Sequence, residues 1–151
     1  MQQLNDSDQY IMYLRKSRMD TDFDEVSIEE TLNRHKAVLT EFASGRHLHV
    51  AMILEEVVSG ESLYARPQML HLLELAGSGK YAGVICIDIE RLSRGSSLES
   101  GYIMQVFKAS RFKIITPAKT YDLQNESDEQ FTDMKFMFSR YELKSITTRL
   151  V

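Results

Sequence analysis

Four short apolar runs, at residues 10–14, 49–55, 83–88 and 112–116, alternate with stretches 27–44, 67–76 and 97–109, whose apolar residues recur at helical spacing. A strand followed by a long helical link cannot close as a tight hairpin; it returns as a parallel neighbour, with the crossover helix lying on a face of the sheet. The pattern predicts an α/β fold: a mostly parallel central sheet of four to five strands, flanked by helices. The punctuation agrees. Ser27 with Glu30 three positions on reads as a capping box, Pro67 suits the first turn of a helix, and Gly77-Ser78-Gly79 is a helix stop. In sheets of this kind ligands gather beyond the carboxyl ends of the strands, and Ser17 and Arg91 both fall just past such expected ends.

The remaining sequence bounds the partners. At 151 residues, with 43% hydrophobic and 26% charged, the chain suits one compact domain. A formal net charge of −4 argues against a surface that grips nucleic acid everywhere, so any contact with a polyanion must be local. Cys86 stands alone in the apolar run Val84-Ile85-Cys86-Ile87, which offers neither a disulfide nor a zinc site. His47, His49 and His71 show no metal-ligand spacing. No stretch approaches the roughly 18–20 apolar residues of a membrane span, and the first eight residues are polar. A cytoplasmic protein without a membrane partner is expected.

After a polar turn at residues 122–128, the run from Glu129 to Val151 contains no Gly or Pro. Phe131, Met134, Phe138 and Tyr141, with Met137 beside them, follow the three-four spacing of one helical face. Such a helix either folds onto its own sheet or turns its aromatic and methionine stripe toward a partner subunit. The expected division is a core at residues 1–126 and the start of a long oligomerisation helix at 127–151.

Two motifs carry chemistry. Tyr13-Leu14-Arg15-Lys16-Ser17 and Glu90-Arg91-Leu92-Ser93-Arg94 each fall where an expected strand ends. One serine and several arginines can therefore meet at one edge of the sheet. A serine hydroxyl can form a covalent intermediate, and guanidinium forks match phosphate oxygens and the charge that grows on them during displacement. Arg15 lies two residues before Ser17 and so shares its side of an extended chain. Tyr13 fits either a positioning hydroxyl or an aromatic packing residue.

These motifs, together with Ser-Ile-Glu-Glu at residues 27–30 and Ser-Gly-Glu-Ser-Leu-Tyr-Ala-Arg-Pro at residues 59–67, resemble the catalytic domain of the serine recombinases, the resolvase and invertase family. The resemblance runs from about Tyr10 to the C-terminus and is closest to the large serine recombinases of phages and integrative elements. It implies that Ser17 attacks a DNA phosphodiester, leaving the 5′ end joined to the serine and a free 3′ hydroxyl. It implies no metal and no cofactor. The corresponding arginines Arg15, Arg66, Arg91 and Arg94 hold the phosphate, activate the nucleophile and support the leaving oxygen. If Arg91 and Arg94 open a helix, their spacing puts them on one face.

Supporting positions follow from the same resemblance. Glu90 stands where the family most often has Asp, and would orient neighbouring arginines. Glu56, or Glu55 beside it, stands ahead of the family's Ser-Gly at Ser59-Gly60. His35 occupies a position on the first helix where many relatives carry Gln; a packing or surface role is its alternative. The partners implied are DNA and further copies of the chain, a dimer that becomes a tetramer in the synaptic complex, in the cytoplasm of a bacterium or phage host at the nucleoid. Because relatives continue into a separate DNA-binding region, the chain reads as a catalytic domain without it. A non-catalytic assembly module is the main alternative. A phosphatase with a covalent serine would need an acidic or metal cluster to activate water, which the sequence does not show.

Overall fold

A computed structural model describes residues 8–17, 25–58, 66–89, 92 and 97–135. Its strands are β1 (Gln9–Ser17), β2 (His49–Val58), β3 (Gly83–Ile85), β4 (Lys113–Ile115) and β5 (Thr120–Tyr121), and its helices α1 (Glu25–Gly45), α2 (Pro67–Gly77) and α3 (Ser97–Ala109), followed by a helix α4 that is described over residues 126–135. The strands form one sheet in the order β2-β1-β3-β4-β5, parallel throughout except for β5. The α/β architecture with a mostly parallel sheet is thus as the alternation of runs implied.

β1 lies at the centre, and Tyr10 through Leu14 are buried on both of its faces. On one face Ile11 and Tyr13 join Leu54, Leu72, Ile103 and Phe107 beneath α2 and α3. On the other, Tyr10, Met12 and Leu14 pack with Leu39 and Ala43 of α1. A parallel strand covered on both sides reads as an unbroken apolar run, and the run Tyr10-Ile11-Met12-Tyr13-Leu14 is one.

Several boundaries moved. β1 and β2 extend to Ser17 and Val58, three residues beyond the apolar runs, because the two strands pair in register from Ile11↔Met52 to Ser17↔Val58. β3 is shorter than its run, since its pairing with both β1 and β4 ends at Ile85. β5 has only two residues and falls below any periodicity signal. α1 begins at Glu25, so Ser27 is inside its first turn and is not the cap read from Ser27 and Glu30. At α2 the reading held: Pro67 occupies the first turn, and Gly79 after its end has φ +76.

α1 and α3 are each closed by a left-handed residue that is not glycine. Leu48 N–H donates to Ala43 O and His47 N–H to Ser44 O, at 2.9 and 3.2 Å, while Phe112 donates to Phe107 O and Arg111 to Lys108 O, at 2.8 and 3.2 Å. This is the six-to-one and five-to-two pairing that closes a helix through a left-handed residue, here His47 at φ 57 and Arg111 at φ 54. Gly83 serves a different need: a Cβ there would stand 2.5 Å from the carbonyl oxygen of Lys113, so only glycine lets β3 lie this close to β4.

α4 starts at residue 126, slightly ahead of the expected 127. Asn125 caps it by accepting from Asp128 N–H at 3.2 Å. Asp128 in turn accepts from Asp122 N–H at 3.1 Å and binds Lys119 Nζ at 2.7 Å. Phe131 stacks on Tyr121 with ring centroids 5.8 Å apart, and Lys119 Nζ lies 5.2 and 5.5 Å from those two rings. The root of the helix is thereby tied to β5 of its own domain.

Candidate active site

In a parallel sheet all carboxyl ends share one edge. The order β2-β1-β3 means that the chain leaves β1 toward one side and later returns on the other, which opens a crevice beyond the end of β1. Ser17 closes β1 at that edge, its main chain opposite Val58 and one position short of Ser59. The segment after β3 leads from Cys86 through Ile89 to Leu92 at the same edge, with Leu92 fully buried in the core beneath α2 and α3.

Glu56 organises the described part of the site. Its register partner is Arg15, and two residue pairs back Tyr13 lies opposite Leu54. Tyr13, Leu54 and Glu56 all face α2, since side chains alternate along a strand. The Tyr13 hydroxyl donates to Glu56 Oε1 at 2.5 Å. The backbone N–H of Gln68 donates to Glu56 Oε2 at 2.7 Å. Arg66, the residue that precedes Pro67 and caps α2, has no capping bond from its own side chain. The strand carboxylate satisfies an orphan amide of the helix start instead, where a negative charge is also favoured by the helix dipole.

The Arg66 side chain turns inward. Its Nε lies 3.9 Å from Glu56 Oε1, and its Nη2 donates to the carbonyl oxygen of Leu92 at 2.6 Å. Arg15, Glu56 and Arg66 are 4%, 3% and 2% exposed. Buried charges persist only when compensated, and among the described residues Glu56 brings a carboxylate to this cluster, 3.9 Å from the Arg66 guanidinium. Burial is the main force that holds the Tyr13 hydroxyl well above the ordinary phenol range; the Arg66 charge pulls it down and Glu56 pushes it up. Tyr13 is therefore a protonated donor at neutral pH. Its ring packs in the core, while its hydroxyl is held by Glu56.

The structure separates the two acids that sequence left side by side. Glu56 is buried in the site, whereas Glu55 points to the opposite face and meets Lys36 of α1 at 3.7 Å on the surface. His35 is half-buried on α1. Arg15 is an interior residue of β1 rather than a strand-end charge. α3 starts at Ser97, so Arg91 and Arg94 precede it; both lie outside the described residues, as do Ser59, Glu90, Met137, Phe138 and Tyr141. Of the terminal stripe, Phe131 is occupied by its stack on Tyr121, while Met134 is 40% exposed. The Leu92 carbonyl and the Gln68 amide escaped sequence reading because backbone groups carry no residue signature. Among the described residues no three His, Cys, Asp or Glu side chains gather as metal ligands, and no helix is long and apolar enough to cross a membrane.

The model of the family described as "Resolvase, N terminal domain" matches residues 10–151. Among solved structures, a resolvase family site-specific recombinase from Streptococcus pneumoniae superposes with a TM-score of 0.64 at 19% identity, over 95% of this chain and 93% of the other. The N-terminal catalytic domain of TP901-1 integrase gives 0.62 at 18% identity, over 90% of this chain and 97% of that one. The C-terminal catalytic domain of ISC1926 TnpA, an IS607-like serine recombinase, gives 0.57 at 26% identity, over 72% and 69%.

Proposed function

This chain belongs to the resolvase family as a site-specific serine recombinase catalytic domain, and from that premise we propose that Ser17 is the nucleophile that breaks and rejoins DNA strands. The observation that carries the reading is the convergence of Arg15, Glu56 and Arg66, all buried, at the sheet edge where β1 ends in Ser17. A non-catalytic assembly module would have no need of a compensated set of buried charges at this edge.

In the proposed reaction Ser17 Oγ attacks the phosphorus of a phosphodiester. The Oγ–P bond forms as the P–O3′ bond breaks, the serine loses its proton, and the departing 3′ oxygen gains one. One phosphodiester is exchanged for another, so the 5′-phosphoserine retains the energy needed for rejoining. Arginines supply fixed positive charge where the displacement concentrates negative charge, and act without reorganising at that moment. Arg15, Arg91 and Arg94 face the phosphate in this reading, with Glu90 and Ser59 in support. Glu56 is not a proton carrier, because both of its oxygens already hold donors.

DNA is the substrate and further copies of the chain are the partners: a dimer joined through the face of Met134, Met137, Phe138 and Tyr141, and a tetramer for strand exchange. The division into a core and an oligomerisation helix belongs to the same proposal, as does action at the nucleoid in the cytoplasm. With a net charge of −4, this chain should bind duplex DNA weakly and with strong salt sensitivity.

The test is the Ser17→Ala variant incubated with duplex carrying the recombination site. It should bind as the unmodified protein does and form no denaturation-resistant protein–DNA adduct. An adduct that persists in that variant overturns the assignment.

A further inference from the structure

We infer that Arg66 is a positioning residue, which holds the backbone of the arginine-bearing loop at Leu92 and does not itself grip the DNA phosphate. The inference deepens the reading of this edge as a phosphodiester-transfer site and rests on it.

The geometry is specific. Arg66 sits at the head of α2, 2% exposed, and its Nη2 reaches 26 positions along the chain to the Leu92 carbonyl at 2.6 Å. A guanidinium donor makes this a charge-assisted bond. Its direction is set from behind by Glu56, 3.9 Å from Nε. Glu56 cannot swing, because Tyr13 and the Gln68 amide hold its two oxygens. Leu92 is anchored a second time by its own side chain, fully buried with Ile89. The residues on either side of this doubly fixed point are Arg91 and Ser93, with Arg94 next. Fixing one carbonyl thus sets the position from which two arginines depart. The planar fork is what the task needs: one edge faces the carboxylate while another nitrogen reaches the carbonyl, and a lysine's single ammonium cannot span both.

A phosphate clamp and a positioning residue differ in what DNA does to them. In the unmodified chain, side-chain nitrogen NMR should show Arg66 N–H protons that exchange slowly with water and do not shift when a short random-sequence duplex is titrated, while Arg91 and Arg94 signals move. In Arg66→Lys, amide exchange at Leu92, Ser93 and Arg94 should accelerate about tenfold, with Ile11 and Val84 in the central sheet unchanged. Ser17 adduct formation should slow at unchanged affinity.

A duplex-induced shift of the Arg66 signals overturns the inference, as does unaltered exchange at Leu92–Arg94 in Arg66→Lys. If Arg66→Lys costs Ile11 and Val84 their protection, the titration of the unmodified chain decides. If the duplex moves no arginine signal at all, the DNA reading of this edge fails, and the exchange rates of the Arg66 protons and of the Leu92 segment still decide whether Arg66 positions the loop.

Discussion

Tyr13 and Glu56, 43 residues apart in the chain, are joined by a 2.5 Å hydrogen bond between the phenolic hydroxyl and Oε1. The bond crosses from β1 to β2 beneath α2, and the same carboxylate steadies Arg66 and the start of α2. One acid therefore links two strands and a helix at the edge where Ser17 stands.

Removing either partner should have unequal effects. Tyr13→Phe keeps the ring in the core and deletes one donor, costing about 1 kcal/mol of stability. Glu56→Ala removes the carboxylate beside the buried Arg66 and uncaps α2, costing about 3–5 kcal/mol. Urea denaturation of the two variants checks the difference. Equal losses would mean that the carboxylate does not organise the site.

Acid should loosen the root of α4. Burial pushes the Asp128 carboxyl up, but the hydrogen bond from Lys119, the Asp122 amide and the Lys119 charge outweigh it and hold it below the usual carboxylate value. A carboxyl lowered in the folded state contributes stability that is present above its unfolded pKa of about 4 and lost as pH falls through the folded value. Asp128→Asn should cost about 1 kcal/mol at pH 7, and that cost should disappear as pH falls through the folded value. Thermal melts between pH 7 and pH 2.5 would show the two proteins converging.

The left-handed residues that end α1 and α3 leave room for improvement. His47→Gly should stabilise the fold by about 0.5–1 kcal/mol, since the relief of left-handed strain exceeds the extra freedom glycine gains when unfolded. Arg111→Gly should do the same. A lower melting temperature in both would show that contacts of the side chains outweigh their strain.

Phe131 and Met134 lie on one helix, yet should answer to different measurements. Phe131→Ala removes the stack on Tyr121 and should cost about 2 kcal/mol, less than a fully buried phenylalanine. Met134→Asp should change stability by less than about 0.5 kcal/mol while weakening self-association in sedimentation. If Met134→Asp leaves association intact, the dimer interface lies elsewhere.

Much of this molecule is written locally. Strand and helix alternation, Pro67 at the head of α2, Gly79 behind it and the apolar run of β1 depend on near neighbours, so periodicity and turn chemistry reveal them. The motifs around Arg15 and Ser17 and around Arg91 are likewise contiguous in the chain, and the place of Ser17 at the carboxyl end of β1 follows from the order of elements. What only the tertiary structure decided depends on register and on backbone groups. Glu55 and Glu56 are equivalent as neighbours in a chain, but a one-residue step along a strand reverses the face, and the pairing of Arg15 with Glu56 sends Glu56 into the site and Glu55 to Lys36. The lengths of β1 and β2 came from their mutual pairing rather than from apolar content. Phe131 was assigned to its own domain by Tyr121, ten residues earlier and across a turn. Arg66 found its partner in the carbonyl of Leu92, an acceptor that every residue carries and that only three-dimensional proximity can single out.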